Sequence, residues 1–187
     1  MRLFAAVIPP AEAIDDLDAF LEPRRGAGEL RWAGVEGWHL TLAFMGDADP
    51  WRVEELEERL TRAAHRRTSF SATLTGGGAF PNAGRAKVLW AGVETDRIEI
   101  GRLATGARAA ATKSGIEVDG GRFRPHLTLA RLGHPQELTN WVRLLDAYRG
   151  PTWTVETIAL VESHLGEGPR GRPRYEIVGE YALGRSL

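Results

Sequence analysis

Two stretches of this chain nearly repeat each other. His39-Leu-Thr-Leu-Ala-Phe-Met-Gly46 and His126-Leu-Thr-Leu-Ala-Arg-Leu-Gly133 agree at six of eight positions, 87 residues apart in a chain of 187. One repetition is too few for a solenoid, which stacks about three units or more. A repeat offset by nearly half the length points instead to two related halves facing each other. Both segments read as strands, so side chains alternate between faces. His39, Thr41 and Ala43 then share one face, with Trp38, Leu40, Leu42 and Phe44 on the other. The second copy groups His126, Thr128 and Ala130, with Leu127 and Leu129 opposite. Each half thus offers a His and a Thr about 6.6 Å apart along the strand, with an alanine next in line that leaves room. Strict alternation also puts Arg124 on the His126 face and Arg131 on the opposite one.

The rest of the chain mixes strand-like and helical patterns. Residues 2–8 predict a strand stopped by Pro9 and Pro10, and Ile14, Leu17 and Leu21 recur at helical spacing before Pro23. Asp49-Pro50 is a helix-start pair. Val53, Leu56, Leu60 and Ala63 form the stripe behind it, with glutamates early and arginines late, as the helix dipole favours. Residues 70–74 and 88–93 predict strands, with the glycines at 76–78 and Pro81-Asn82 as the turn region between them. Ile100, Leu103, Ala107 and Ala110 mark a helix ended by Gly115. Residues 125–129 form the second motif strand. Pro135 predicts the opening of a helix carrying Leu138, Trp141, Val142 and Leu145. Strands at 153–161 and 175–183 close the chain, joined by a Gly/Pro/Arg loop at 166–174. No low-complexity linker intervenes, so residues 1–187 read as one domain of two related halves divided near 80–95. No Gly-rich phosphate loop follows the first strand, which disfavours a dinucleotide or P-loop site.

Composition narrows the function classes. The chain is 43% hydrophobic and 26% charged, a globular profile. A net charge of −1 argues against a protein that grips long nucleic acid by bulk charge, while leaving room for a local basic patch. The absence of cysteine excludes a disulfide framework, a thiolate zinc site and a cysteine nucleophile. Arginine outnumbers lysine 22 to 2. Genomic composition is the simpler source of that skew; guanidinium forks that hold phosphate are the sharper one. The apolar run at the start is too short for a signal peptide, and no run of about 18 apolar residues exists to span a membrane. The expectation is a cytoplasmic protein without a membrane partner.

Two His/Thr pairs suit one kind of guest. Two imidazoles serve as general acid and general base near neutral pH. Two hydroxyls donate hydrogen bonds to the oxygens of a group held between them. A phosphodiester has two non-bridging oxygens, a leaving oxygen to protonate, and an opposite side open to water. In-line cleavage needs acid and base on opposite sides of phosphorus, which a pseudo-twofold pair provides without requiring a metal. A buried core histidine is the plain alternative for either copy alone, and the duplication of His-x-Thr argues against it. A zinc site usually takes three protein ligands, and neither motif carries a carboxylate. Ser163 and His164 are adjacent, so on a strand they point to opposite faces and cannot form a hydrolase pair.

These segments resemble the paired His-x-Thr-x motifs of the two-histidine (2H) phosphoesterase superfamily. Within it the chain is similar to the RNA 2′,3′-cyclic phosphodiesterases, also called 2′-5′ RNA ligases. The likeness includes Arg2-Leu-Phe-Ala-Ala, Leu30-Arg-Trp32, residues 38–46, Gly78-Ala-Phe-Pro81, Val88-Leu-Trp90, residues 123–131, Ser163-His-Leu-Gly166 and Tyr175-Glu-Ile177. The resemblance implies an α+β fold of two pseudo-symmetric lobes, each an antiparallel sheet backed by helices, with the active-site groove between them. It implies opening of an RNA terminal 2′,3′-cyclic phosphate to a 2′-phosphate. His39 would be the acid that protonates the departing 3′ oxygen, and His126 the base that activates water. Thr41 and Thr128 would hold phosphoryl oxygens. An RNA 5′-hydroxyl replacing water would give a 2′-5′ linkage, the ligation reaction. On spacing alone the two histidine roles are interchangeable.

The expected enzyme takes no cofactor and no metal, acts on RNA ends as a monomer, and carries its motifs at 39–42 and 126–129. Arg124 is the phosphate candidate from alternation. Arg131 occupies a position commonly basic in the family's second motif. Phe123 offers a ring for a terminal base, against the plainer expectation of core packing. His65, His134 and His164 read as ordinary structural histidines, and Arg170, Arg172 and Arg174 as a solvated loop or an RNA-steering one. The alternatives are a 2H phosphodiesterase acting on a small cyclic nucleotide or cyclic ADP-ribose phosphate, and a non-catalytic RNA-end binder.

Overall fold

The structure is a computed structural model that describes residues 1–26 and 30–185. Its apolar alternations become the strands β1 (Arg2–Val7), β2 (Arg31–Trp32), β3 (Leu40–Asp47), β4 (Phe70–Phe80), β5 (Ala86–Thr95), β6 (Leu127–Gln136), β7 (Arg149–Val155), β8 (Thr157–His164) and β9 (Arg174–Ala182). The helical stripes become α1 (Ala11–Leu21), α2 (Val53–His65), α3 (Arg97–Lys113) and α4 (Thr139–Asp146). The strands join one sheet in the order β7-β4-β5-β6-β3-β1-β8-β9, with β2 beside β6, and every ladder between them is antiparallel. Only Glu156 separates β7 from β8, yet five strands lie between them in that order. The sheet therefore curls until those ends meet, and the Leu183 amide bonds to the Glu156 carbonyl there at 2.8 Å.

The sheet narrows where β3 and β6 meet, at a single ladder pair, Leu40 with Leu127. On one side lie β3, β1, β8 and β9; on the other lie β6, β5, β4 and β7. Helices α2 and α3 back the first group, while α1 and α4 back the second. The chain crosses between them twice in the same way. α1 follows β1 but packs across the waist, where Asp16 accepts a 2.7 Å hydrogen bond from the Tyr148 hydroxyl and Phe20 meets the Tyr148 ring. α3 follows β5 but packs on β3. The expected division near 80–95 is therefore not a boundary in space: it falls within the β4–β5 hairpin, and each side of the waist takes strands from both halves of the chain. Most buried apolar residues form one cluster beneath the helices, including Leu3, Leu40, Leu56, Leu89, Leu103 and Leu127.

Four local expectations are corrected. The glycines at 76–78 lie inside β4 and not in a turn. A bulge separates the pairs of Leu74 and Gly77, and Gly76 takes φ +67° there, open to glycine at little cost. A Cβ on Gly77 would meet the Trp90 carbonyl oxygen at 2.7 Å, and one on Gly78 would run into the Trp90 indole. Gly77→Ala is expected to cost about 1–3 kcal/mol, because paired backbone has no room to yield; a lower urea midpoint at unchanged slope is the check. Pro135 sits near the end of β6 and does not open α4. β2 pairs β6 only at Ala130 and Arg131, so farther along one side of β6 is free of a partner and tolerates a residue without N–H. Finally, the run at 153–161 breaks at Glu156 into β7 and β8. In α2, Ala64 and not Ala63 joins Leu56 and Leu60 in the core, and a short turn at Pro50–Arg52 precedes the helix after Asp49.

Candidate active site

The two motif strands are the ones that meet at the waist. Antiparallel register about the Leu40–Leu127 pair directs His39 toward Thr128 and Thr41 toward His126. Directly opposed side chains on such strands have Cβ atoms about 5 Å apart, so the four groups share one small space.

Each imidazole is held the same way. His39 Nδ1 bonds to the Gly37 carbonyl at 2.6 Å, and His126 Nδ1 bonds to the Arg124 carbonyl at 2.6 Å. A carbonyl only accepts, so Nδ1 carries the proton in both rings and Nε2 is left to the groove. Neither Nε2, nor the hydroxyl of Thr41 or Thr128, has a hydrogen-bond partner among the described residues. Both threonines are half-buried but reached by solvent.

Aromatic walls fix the ring planes. Phe4 stacks on His39 with centroids 4.4 Å apart, and Tyr175 meets it edge-on at 5.6 Å. Across the waist, Phe80 meets His126 edge-on at 4.9 Å, and Trp90 lies 6.0 Å away. Burial lowers the pKa of both histidines below the ordinary 6.5, against the raising effect of their carbonyl partners. Charge on Arg131 lowers both further, and charge on His126 adds to the effect at His39.

That influence of Arg131 overturns its expected placement. In β6 the register slips between Leu89–Ala130 and Trp90–Thr128, which makes Leu129 an extra residue. Leu129 and Ala130 are consecutively buried, and alternation resumes one position late. Arg131 is thereby turned to the histidine face, where its charge acts on His39, His126 and Tyr175. β3 carries the same bulge: Ala5 pairs Ala43, Ala6 pairs Thr41, and Leu42 and Ala43 are both buried. Phe44 thus joins the groove side, stacked at 6.5 Å on Phe4, and Ala43 turns to the core.

Of the other anticipated residues, Arg124 is exposed, with its guanidinium carbon 5.9 Å from the Phe80 ring centroid, at the edge of the His126 wall. Phe123 packs against the main core and lines a cleft between α2 and α3. His134 and His65 are exposed, and so are Arg170 and Arg174, while Arg172 is half-buried. Glu162, His164 and Glu176 bring potential ligand atoms within 4.8 Å of one another. They alternate with Ser163 and Tyr175, so they face away from the side of the sheet where Tyr175 touches His39.

The aromatic walls were not anticipated as site residues. A second, fainter echo marks half of them: Leu3-Phe4-Ala5-Ala6 and Leu89-Trp90-Ala91-Gly92, offset by 86 residues, place Phe4 and Trp90 at matching points of β1 and β5.

This geometry agrees with what sequence comparison finds. The family model described as the 2′-5′ RNA ligase superfamily matches residues 9–167. The chain belongs to the 2′-5′ RNA ligase superfamily. A protein of Thermus thermophilus named RNA 2′,3′-cyclic phosphodiesterase is 34% identical, covering 98% of this chain and 90% of the relative. One of the same name from Escherichia coli is 27% identical over 97% of this chain and 96% of its own. Among solved structures, E. coli LigT complexed with 3′-AMP superposes with a TM-score of 0.79 at 26% identity, covering 98% of both chains. The superfamily fold accounts for the curled mixed α+β architecture, the single antiparallel sheet and its four helices. No described helix is long and apolar enough to cross a membrane.

Proposed function

We propose that this chain hydrolyses RNA terminal 2′,3′-cyclic phosphates to 2′-phosphates, and that an RNA 5′-hydroxyl in place of water gives reversible 2′-5′ ligation. The observation that carries the reading is the matched pair of histidines. Both have Nδ1 tied to a carbonyl and Nε2 open, each faces the other motif's threonine, and the chain belongs to a family whose relatives bear this activity in their names. A water proton passes to Nε2 of His126 as the water oxygen bonds to phosphorus. The bond from phosphorus to O3′ breaks on the opposite side, and the proton on Nε2 of His39 goes to that oxygen. Thr41 and Thr128 donate to the non-bridging oxygens, and Arg131 balances the charge that accumulates there. The products leave His126 protonated and His39 neutral, and exchange with solvent resets both. Assigning the acid to His39 follows the family. RNA ends as substrate fit a cytoplasmic enzyme, and a single chain holds all four motif residues, so a monomer is sufficient.

Turnover of an oligonucleotide ending in a 2′,3′-cyclic phosphate, compared with a cyclic mononucleotide, tests the substrate class. Faster turnover of the oligonucleotide, unchanged by EDTA, is expected; a preference for the mononucleotide points to the small-nucleotide alternative. Tight binding of the cyclic end with no product over hours sinks catalysis itself.

Both histidine pKa values are lowered, so the bell of kcat/KM against pH should centre on the acidic side of 6.5. One imidazole must be neutral and the other protonated, and lowering both values moves that window down. A pH profile of kcat/KM on the free enzyme checks the direction; a maximum well above 6.5 contradicts it.

A further inference from the structure

We propose that the cleft between α2 and α3 is a second RNA-binding surface, which holds the phosphate backbone of the strand whose end lies at the histidines. The proposal rests on the RNA-end reading above. The cleft has a volume of about 730 Å³ and is lined by seven basic side chains and no acidic one. Arg62 lies in the last turn of α2, Arg66 and Arg67 just beyond its end, and Arg97 and Lys113 at the two ends of α3. None of these five has an ion pair among the described residues, whereas Arg59 is held by Glu55 and Arg102 lies beside Glu99. In a chain of net charge −1, five cations without ion pairs around one concavity form a local positive patch. Self-repulsion of this kind is relieved by a polyanion.

One short segment touches both the cleft and the wall of the catalytic groove. Phe123 lines it, and the next residue, Arg124, reaches the Phe80 ring that walls His126. A strand with its terminal phosphate at the histidines would therefore pass over residues 122–124 and reach the cleft. The cations line a hollow between helices, with Ile98 as the exposed large apolar side chain at its edge. That shape suits a chain of phosphates better than a membrane, which meets protruding apolar groups.

The test combines Arg62→Glu, Arg66→Glu and Arg97→Glu, none of which belongs to the catalytic groove. Binding of a cyclic-phosphate RNA of about twelve nucleotides should weaken roughly tenfold or more, and the slope of log Kd against log salt should flatten by about 2–3. Turnover of a cyclic mononucleotide should stay unchanged. Glutamine at the same three positions should give a smaller shift of the same sign, which guards against a folding defect of the reversed charges. Unchanged affinity and salt slope overturn the proposal. So does loss of binding to phosphatidylserine vesicles with RNA binding intact. Wild-type protein that opens no cyclic phosphate refutes the functional reading separately, and RNA binding still decides the cleft.

Discussion

Replacing His39 or His126 with alanine is expected to lower kcat by roughly 10²–10⁴ each. The double replacement should cost far less than the product of the two, because proton removal and proton delivery belong to one transition state. Neither change should unfold the chain, since both rings border a groove that solvent reaches. An unshifted unfolding midpoint is the control. The two roles separate by leaving group. A cyclic substrate with sulfur in place of the 3′ bridging oxygen departs as a stable thiolate and needs no general acid. It should restore most of the rate to His39→Ala and little to His126→Ala. The reverse pattern exchanges the two roles. Full activity in either single variant removes the paired-histidine mechanism.

Arg131→Met is expected to reduce kcat by roughly 10²–10³, the range seen when one donor to a developing oxyanion is lost. It should also leave a signature that a packing defect would not. Burial is the main cause that holds both histidines below their ordinary values, and the guanidinium charge lowers them further, so its removal lets both rise part of the way. Both limbs of the kcat/KM profile should then move to higher pH. Lysine at this position keeps the charge but loses the two-pronged geometry, so Arg131→Lys should retain the wild-type pH profile with only part of the rate. An unchanged profile in Arg131→Met would mean that Arg131 does not face the histidines.

The repeat at His39 and His126 made the site legible because the chemistry sits on strands whose apolar faces had to be kept in both halves. The placement of Arg131 and Phe44 was not legible. One extra residue in each strand, Leu42 and Leu129, shifts the alternation midway, and a two-residue period carries no mark of it. The paired Leu-Ala steps, buried at successive positions, are the trace it leaves. The helix stripes of α1 and α3 were clear, yet nothing in them said that each packs across the waist from the strand before it. That choice depends on which side of the curled sheet has apolar surface still uncovered. The glycines at 76–78 misled for a related reason: they serve the close approach of Trp90, a contact distant in sequence, where local propensity suggested a turn.

The most direct measurement is the position of the phosphate on the product. RNA ending in a 2′,3′-cyclic phosphate is incubated with the purified chain and with the double histidine variant, and the terminal nucleotide is identified. Protonation of O3′ by His39 predicts a 2′-phosphate from the wild type and almost none from the variant. A 3′-phosphate, or equal product from both proteins, would contradict it.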